Sequence, residues 1–359
     1  MPVETFRKVL IQIATPYSTG TGFYLQDVDL IVTSEFVVRD NREVIIDGLG
    51  FERQLTPVLY TDAYYDLAFL AAPKEGTWPM VALSRNGEVI LDDRVYAIGH
   101  PFGLQYKATE GRISKTDYRD NDIYYLQHDA LLSPGNSGGP LVNERGEIIG
   151  INTFINRDGE PLGYSLPVHH LLESIKAFRR GKGAVGIRCY NCKQLVFKHT
   201  KKGNQCPECG TGVQLPSCIE PYEARGMAKT IEDMLEALGH PVDLSRRGPG
   251  NWQIHQGSAK IDISYYEKNG LIIGDAYLCT LPTTPQKTLF KYLLRQNDEI
   301  ENLTFSVKEQ YIVLSLLIYD RYLNMDTGLE MFRHLFERAD YYDNILVEQY
   351  QASWIVEED

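Results

Sequence analysis

Roughly the first 180 residues of the chain consist of short apolar or alternating runs separated by turn residues. Runs such as VLIQIAT (9–15) and DLIVTS (29–34) have the length and composition of β-strands. Strands that recur about every 8–12 residues with turn signals between them are typical of an all-β sandwich or barrel. VHHLLESIKAFRR (168–180) has the apolar spacing of a short helix, and GKGAVG (181–186) has the composition of a linker. We therefore predict an all-β domain over residues 1–180.

The next segment, which we assign to residues 181–216, contains two CxxC pairs and little apolar mass. A unit of this kind cannot build a core of its own and is held together by its metal. Zinc prefers four deprotonated thiolates in a tetrahedron, so the sequence predicts a small zinc ribbon with one structural Zn²⁺ and no open position for catalysis. A redox role for one of the pairs is the alternative interpretation. The predicted ligands are Cys189, Cys192, Cys206 and Cys209.

From about residue 217 onward, helical and strand patterns alternate. YEARGMAKTIEDMLEALGH (222–240) predicts an amphipathic helix that ends at Gly239. Asn269-Gly270 predicts a hairpin turn, and MDTGLEMFRHLFERADYYDNILVEQY (325–350) predicts a long final helix. The predicted order α-β-β-β-α-β-β-α indicates an α+β domain over residues 217–359, with helices packed on an antiparallel sheet. The predicted apolar face of its first helix comprises Met227, Ile231, Met234, Leu235 and Leu238.

Composition and charge narrow the function classes. The chain is 43% apolar and 23% charged, which is ordinary for a soluble globular protein. No apolar run is long enough to cross a bilayer, and residues 1–20 lack the continuous apolar core of a signal peptide. We therefore expect a cytoplasmic protein without a membrane partner, in which CxxC pairs are metal ligands rather than disulfides. The net charge of −12 argues against nucleic-acid binding by the chain as a whole.

The candidate for chemistry is a small polar turn, GNSGGP (135–140), which lies between two apolar runs. Glycine permits positive φ and has no Cβ, so backbone N–H groups can converge on one point, as an oxyanion hole requires. The turn indicates Ser137 as a candidate nucleophile. To react, its hydroxyl needs a base and an orienting acid from elsewhere in the chain. The alternative is that the turn serves only to shape the backbone.

Several further stretches accompany this turn in a defined order. They are GTGF (20–23), DLAFL (66–70), AIGHPFG (97–103), DA (129–130), IGINT (149–153) and GYSLPV (163–168). Together with GNSGGP, they resemble the motifs of the trypsin-like double β-barrel family, specifically its bacterial HtrA/Deg-like branch. The resemblance covers roughly residues 8–178.

The resemblance implies a trypsin-like double β-barrel in which Ser137 is the nucleophile and Asp66 holds the acid position. It also implies that the amides of Gly135 and Ser137 form the oxyanion hole. Leu131 would lie near the floor of the first substrate pocket, which favours apolar side chains. Asp66 has a second interpretation, since in this fold it can also hydrogen-bond the backbone. The residues implied for the substrate pocket are Leu131, Asn152 and Thr153.

The family places its general base in a motif of the form TNAHVV, and the corresponding stretch here is TSEFVV (33–38), with Phe36 at the histidine position. The flanking threonine and valines fix this register. Phenylalanine cannot accept a proton, and a serine hydroxyl is a poor nucleophile without a neighbouring base. Four histidines elsewhere are candidates for a substitute base, and we interpret them as structural or exposed. They are His100, His128, His169 and His170.

The resulting hypothesis is a pseudoprotease that binds a polypeptide partner or scaffolds an assembly. The competing hypothesis is a serine endopeptidase that uses Ser137 with an unorthodox or partner-supplied base. A third hypothesis is an adaptor that binds nucleic acid through basic residues around the ribbon; alternatively, these cations offset the charge of a zinc–thiolate centre. The basic residues are Arg179, Arg180, Lys182, Arg188, Lys193, Lys198, Lys201 and Lys202.

The element order of the C-terminal domain resembles the type III secretion chaperone-like or YbjN-like fold, although no residue motif supports this match. The resemblance implies a module that binds polypeptide or pairs with itself, which would make the protein a homodimer through this domain. Asp262, Glu267 and Asp275 have no spacing that implies a metal or acid–base site. The tyrosine pairs at 265–266 and 341–342 could mark an interaction surface, and scattered half-buried tyrosines are the alternative.

Overall fold

The structure is a computed structural model of the chain, which divides into two compact units, Met1–Tyr222 and Glu223–Asp359. No helix in the described part of the chain is both long and apolar enough to cross a membrane. The described residues are 4–85, 89–101, 106–155, 162–284 and 287–355.

Six antiparallel strands form the first barrel of the N-terminal unit. They are β1 (Leu10–Ala14), β2 (Thr19–Leu25), β3 (Leu30–Thr33), β4 (Glu43–Gly48), β5 (Phe51–Asp62) and β6 (Leu67–Ala71), with the one-turn helices α1 (Glu4–Arg7) and α2 (Glu35–Val38). The strands pair in the order β5-β4-β1-β2-β3-β6, and β6 closes the barrel on β5. Ile11, Ile13, Ile31 and Ile46 are fully buried together, which explains why these strands are nearly continuous apolar runs.

The following strands form the second barrel. They are β7 (Ala82–Leu83), β8 (Arg94–Gly99), β9 (Lys107–Asp120), β10 (Ile123–His128), β11 (Pro140–Asn143), β12 (Glu147–Ile155) and β13 (Gly163–Pro167), followed by helix α3 (Val168–Arg179). Six of them pair in the order β11-β8-β9-β10-β13-β12 and close through β11–β12, while β7 adds in parallel to β12. The predicted double barrel and the predicted helix after it are therefore confirmed.

The cysteine-rich segment adds two short antiparallel strands, β14 (Gly186–Arg188) and β15 (Leu195–Phe197). Strand β14 pairs in parallel with β5 at Tyr60 and Thr61, beyond the point where β4 ends its pairing at Pro57. The segment thus continues the sheet of the first barrel. The three-domain division at residues 180 and 216 stays a prediction.

The C-terminal unit is a five-stranded antiparallel sheet with helices. Its elements are α4 (Gly226–Ala237), α5 (Val242–Ser245), β16 (Asn251–Gln256), β17 (Ala259–Tyr266), β18 (Leu271–Thr280), α6 (Lys287–Glu299), β19 (Leu303–Lys308), β20 (Tyr311–Tyr319) and α7 (Met325–Tyr350). The sheet order is β16-β17-β18-β20-β19, and α7 packs on β18 and β20. The predicted element order is present, with the short helix α5 added.

Helix α4 packs with the face that the sequence predicts. Ile231, Met234 and Leu235 are buried in the core of the C-terminal unit, and Met227 and Leu238 pack against that core. The helix ends before Gly239, whose φ of +87° is the left-handed conformation that glycine adopts without strain at helix ends.

Candidate functional site

The turn that carries Ser137 lies between β10 and β11 and is held by the first barrel. Thr21 of β2 donates its amide to the carbonyl oxygen of Ser137 at 2.9 Å. Its hydroxyl donates to the carbonyl oxygen of Gly135 at 2.6 Å. One residue of the first barrel therefore fixes both sides of the turn, and Ser137 lies where the two barrels meet.

Glycine is required within this turn because of how closely it approaches the first barrel. A Cβ on Gly138 would lie 2.4 Å from the hydroxyl of Thr33 and 2.6 Å from the amide nitrogen of Ser34, and its φ is +86°. A Cβ on Gly20 would lie 2.3 Å from Val37 and 3.1 Å from the carbonyl oxygen of Ser137. The absence of side chains at these positions lets the Ser137 turn pack directly against residues 33–37.

The hydroxyl of Ser137 donates its proton to the carbonyl oxygen of Thr153 at 3.0 Å, which is its one hydrogen bond within the described residues. The carbonyl of Asn136 accepts the amide of Gly139 at 3.0 Å. Because N–H and C=O point in opposite directions across a trans peptide, the amide of Ser137 points away from Gly139. Neither this amide nor that of Gly135 has an acceptor in the described part of the chain.

Asp66 ends the turn between β5 and β6 with a φ of +51°. Its Oδ1 accepts the backbone amide of Phe36 at 2.8 Å, and its Oδ2 accepts the hydroxyl of Ser34. Burial raises the pKa of this carboxyl to about 6, although both hydrogen bonds act in the opposite direction. Both oxygens of the predicted acid are therefore engaged by residues of the TSEFVV stretch.

The side chain of Phe36 points outward from α2. It is 58% exposed, whereas Val37 and Val38 next to it are buried. The guanidinium of Arg39 lies 5.7 Å from the centre of the Phe36 ring and also pairs with Glu35 at 2.7 Å. The two valines hold α2 in place, so the backbone of Phe36 reaches Asp66 while its ring stays at the surface.

None of the four candidate histidines hydrogen-bonds the hydroxyl of Ser137 within the described residues. His128 is fully buried, its Nε2 lies 3.0 Å from the hydroxyl of Ser165, and burial lowers its pKa to about 4. The ring of His170 stacks on Tyr65, with His169 next to it, and burial lowers the pKa of His170 to about 4. The amide of His100 donates to the hydroxyl of Thr21 at 2.9 Å.

The residues expected in the substrate pocket differ in exposure. Leu131 is 51% exposed. Asn152 is fully buried, and its side-chain amide donates to the carbonyls of Ile98 and Pro140, both at 3.3 Å. Thr153 presents its carbonyl oxygen to Ser137. Asn152 thus joins strands of the second barrel, whereas Leu131 lies at the surface.

The four predicted zinc ligands are brought together. Their sulfur atoms all lie within 4.8 Å of one another, and the pairs Cys189–Cys209 and Cys192–Cys206 are each separated by 3.6 Å. A tetrahedron of sulfurs around zinc at 2.3 Å has edges of about 3.8 Å, so the spacing fits a metal ion.

The two CxxC turns have the same backbone geometry. The amide of Lys193 donates to the carbonyl of Cys189 at 2.9 Å, and the amide of Gly210 donates to the carbonyl of Cys206 at 3.0 Å. Each turn therefore presents two sulfurs from one tight loop, as expected for a four-cysteine metal site.

Comparison with known proteins gives the N-terminal domain a family context. Residues 20–151 match the family of the trypsin-like peptidase domain. Over 250 residues the chain is 30% identical to the serine protease HTRA1B of Danio rerio. The aligned region covers 64% of this chain and 52% of that protein. Residues 20–151 thus match a trypsin-like peptidase domain, and the chain is similar to serine proteases of the HtrA kind.

Two further proteins are similar to this chain. The putative serine protease HhoA of Synechocystis is 35% identical over 160 residues, which cover 42% of this chain and 40% of that protein. The solved serine endoprotease of Yersinia pestis is 28% identical with a TM-score of 0.45, and the match covers 50% of this chain and 65% of that chain. The chain thus spans about half the length of HTRA1B and less of HhoA.

Two residues of the peptidase-domain site were missed by the sequence reasoning. Thr21 bonds both sides of the Ser137 turn, and Ser34 donates to the carboxylate of Asp66. Both lie inside stretches that carry the resemblance, GTGF and TSEFVV. Their polar side chains at otherwise buried positions were the available signal. Phe102 and Gly103 of the AIGHPFG stretch lie outside the described residues.

Proposed function

We propose that the peptidase domain is a pseudoprotease that binds polypeptide without hydrolysing it. One observation carries the proposal: the hydroxyl of Ser137 donates to the carbonyl of Thr153, and both oxygens of Asp66 are engaged by Ser34 and Phe36. Within the described residues, no histidine hydrogen-bonds either Ser137 or Asp66. This arrangement supports Phe36 as the residue at the base position.

The chemical consequence of such a site is large. Removal of the general base from a Ser-His-Asp triad lowers turnover by about 10⁶-fold, or about 8 kcal/mol of barrier. An acceleration of roughly 10³–10⁴ over water then remains from binding and the oxyanion hole. A domain with these properties still binds a peptide, but it cleaves the bound peptide far more slowly than an intact protease does.

The surface around Ser137 supports an extended polypeptide as the ligand. Two apolar side chains, those of Phe36 and Leu131, are more than half exposed. Phe36 belongs to residues 33–37, against which the Ser137 turn packs, and Leu131 lies six residues before Ser137. The amides of Gly135 and Ser137, which have no acceptor among the described residues, supply hydrogen-bond donors. A peptide with apolar side chains satisfies both features, so we propose this class of partner.

The other parts of the chain complete the proposal. The four-cysteine segment holds one structural Zn²⁺, the C-terminal α+β unit is a YbjN-like module that binds protein or pairs with a second copy, and the protein works in the reducing cytoplasm. Nucleic acid is a less favoured partner, since two of the predicted basic residues are engaged within the N-terminal unit. Arg188 pairs with Asp62 at 2.6 Å, and Lys193 lies over the ring of Tyr64.

An active-site fluorophosphonate probe tests the proposal directly. We expect no covalent labelling of the wild-type chain, measured by intact-protein mass spectrometry. The Phe36→His variant should become labelled at Ser137, and Phe36→His/Ser137→Ala should not. Rapid labelling of Ser137 in the wild-type protein would refute the pseudoprotease and favour the endopeptidase with an unorthodox base.

Binding is tested separately with a fluorescent, casein-derived peptide mixture and anisotropy. We expect binding by the wild type and weaker binding by Phe36→Ser, which removes an exposed apolar ring but no buried contact. Tyr190→Ser, which removes an exposed ring from the cysteine-rich segment, is the matched control. Equal binding by all three proteins would remove the proposed peptide site.

A further inference from the structure

The turn that leads to Asp66 is organised by one buried carboxylate. Asp62 is fully buried, and its Oδ1 accepts the amides of Tyr64 and Tyr65, both at 3.2 Å. Its Oδ2 accepts the hydroxyl of Tyr60 at 2.8 Å. The conformation of residues 62–66 therefore depends on where the Asp62 carboxylate is held, because both amides of the turn point at it.

A cation from the cysteine-rich segment holds that carboxylate. The Nε of Arg188 lies 2.6 Å from Oδ2 of Asp62, and its guanidinium carbon lies 5.1 Å from the centre of the Tyr65 ring. The same guanidinium donates to the carbonyl of Lys193 at 3.0 Å. The ammonium of Lys193 in turn lies 3.8 Å from the centre of the Tyr64 ring. The two cations thus make cation–π contacts with the two aromatic residues of the turn.

These two cations flank the first CxxC pair. Arg188 directly precedes Cys189, and Lys193 directly follows Cys192. The loop between them turns back on itself, with Lys193 at a φ of +61° and its amide bonded to the carbonyl of Cys189. A small segment whose core consists of metal ligands and a few apolar residues is ordered by its metal. A metal ion held by the four cysteines would therefore fix the separation of the two cations.

We propose that Arg188 and Lys193 are positioning residues for the turn that carries Asp66, so that metal binding by the four cysteines orders this turn. The ordered turn also stabilises the Ser137 site. Asp66 accepts hydrogen bonds from Ser34 and Phe36. The next residue, Val37, packs against Gly20 beside Ser137. The inference rests on the proposed metal site and is independent of whether Ser137 is catalytically active.

Hydrogen exchange of the full-length chain tests the inference without any activity measurement. The readout is the exchange of the Tyr64 and Tyr65 amides in a peptide that spans residues 60–66. Strand β9, in the second barrel, serves as the internal reference. The metal-loaded wild type is compared with the chelated wild type, with Cys209→Ser, which loses a ligand, and with Cys218→Ser, which keeps all four.

Exchange at Tyr64 and Tyr65 should rise at least about tenfold in the chelated protein and in Cys209→Ser, the factor that one hydrogen bond supplies. It should not change in Cys218→Ser, and exchange in β9 should not change in any sample. Unchanged exchange at the turn after metal removal overturns the inference. An equal rise at β9 also overturns it, since the effect would then be global unfolding.

A second set of variants separates the cation from the metal. Lys193→Gln removes the charge over Tyr64, Lys193→Arg keeps it, and Lys198→Gln removes an exposed charge elsewhere in the segment. With bound zinc equal in all three by plasma mass spectrometry, only Lys193→Gln should raise exchange at residues 60–66. Equal exchange in Lys193→Gln and Lys193→Arg would exclude a positioning role for Lys193.

Discussion

The backbone amide of Phe36 donates to Oδ1 of Asp66 at 2.8 Å, while the Phe36 ring lies 58% exposed at the surface. The Asp66 carboxylate therefore accepts a hydrogen bond from the backbone of Phe36, the residue that we predict at the position of the general base. The other carboxylate oxygen is taken by the hydroxyl of Ser34. Both carboxylate oxygens of Asp66 are thus hydrogen-bonded by residues 34 and 36, and several measurable consequences follow from this arrangement.

The first consequence concerns the stability of Asp66→Asn. Because burial raises the pKa of Asp66 to about 6 from 3.8, the folded state binds this proton more tightly than the unfolded chain. The contribution of Asp66 to the free energy of unfolding should therefore fall as the pH rises from about 4 to about 6, and its loss at pH 7 is at most about 3 kcal/mol. Asparagine has no charge to lose and tolerates the positive φ at this position.

Urea unfolding of the Asp66→Asn variant between pH 4 and pH 7.5 measures this effect. We expect the variant to match the wild type near pH 4 and to exceed it at pH 7. Asp92→Asn, at an exposed aspartate that also has positive φ, is the control and should show no such pH dependence. A variant less stable than the wild type at pH 7 would contradict the prediction.

The second consequence concerns how well a histidine at position 36 can work. An imidazole there needs Oδ2 of Asp66 as its partner, and Ser34 already donates to that oxygen. Ser34→Ala frees the oxygen, so Phe36→His/Ser34→Ala should react with a fluorophosphonate about tenfold faster than Phe36→His alone, the effect of one hydrogen bond. Labelling rates at Ser137 measure the difference. Ser34→Ala alone is the control and should stay unlabelled; equal rates in the two histidine variants would disprove the competition.

The third consequence concerns the close approach at Gly138. An alanine there would place its Cβ 2.4 Å from the hydroxyl of Thr33, in addition to the strain of φ +86°. Gly183→Ala is the matched control, since its φ is +83° and nothing lies within 4 Å of the added Cβ. We expect Gly138→Ala to destabilise the protein by about 1–3 kcal/mol more than Gly183→Ala. Thermal unfolding of both variants measures the difference in stability. Equal losses of stability in the two variants would show that Thr33 moves at little cost to make room for the added Cβ.

The fourth consequence concerns the metal. We expect one Zn²⁺ per chain, measured by plasma mass spectrometry of the purified protein. Cys189→Ser should lose the metal and several degrees of melting temperature, because metal binding contributes directly to folding. Cys218→Ser, an exposed cysteine outside the cluster, should retain both. A zinc content near zero in the wild type would reject the structural metal site.

The sequence predicts the two barrels, the four-cysteine cluster and the order of the C-terminal elements, because each has a local signal. Strand alternation, the CxxC spacing and the helix-ending glycine are all readable within a few residues. The turn that carries Ser137 is predictable for the same reason, since its glycines are needed where the chain approaches Thr33 and Ser34.

The remaining features depend on contacts between distant residues. The role of Ser34 as a donor to Asp66 requires two side chains that are 32 positions apart to meet in one geometry. The pairing of Arg188 with Asp62 and the burial of Asn152 likewise have no local pattern. The expectation that Asn152 lines a substrate pocket stays a prediction, and its bonds to Ile98 and Pro140 give it a structural role as well.

The pairing of β14 with β5 has a consequence for the order in which the protein assembles. Arg188 and Asp62 are 126 positions apart, so the far end of β5 keeps an open edge until the whole second barrel has been synthesised. Contacts of such high sequence separation form late and slow folding. An exposed strand edge is also a site for pairing with other chains. The newly made first barrel is therefore most prone to aggregation before the cysteine-rich segment emerges, and zinc supply during synthesis should affect the yield of folded protein.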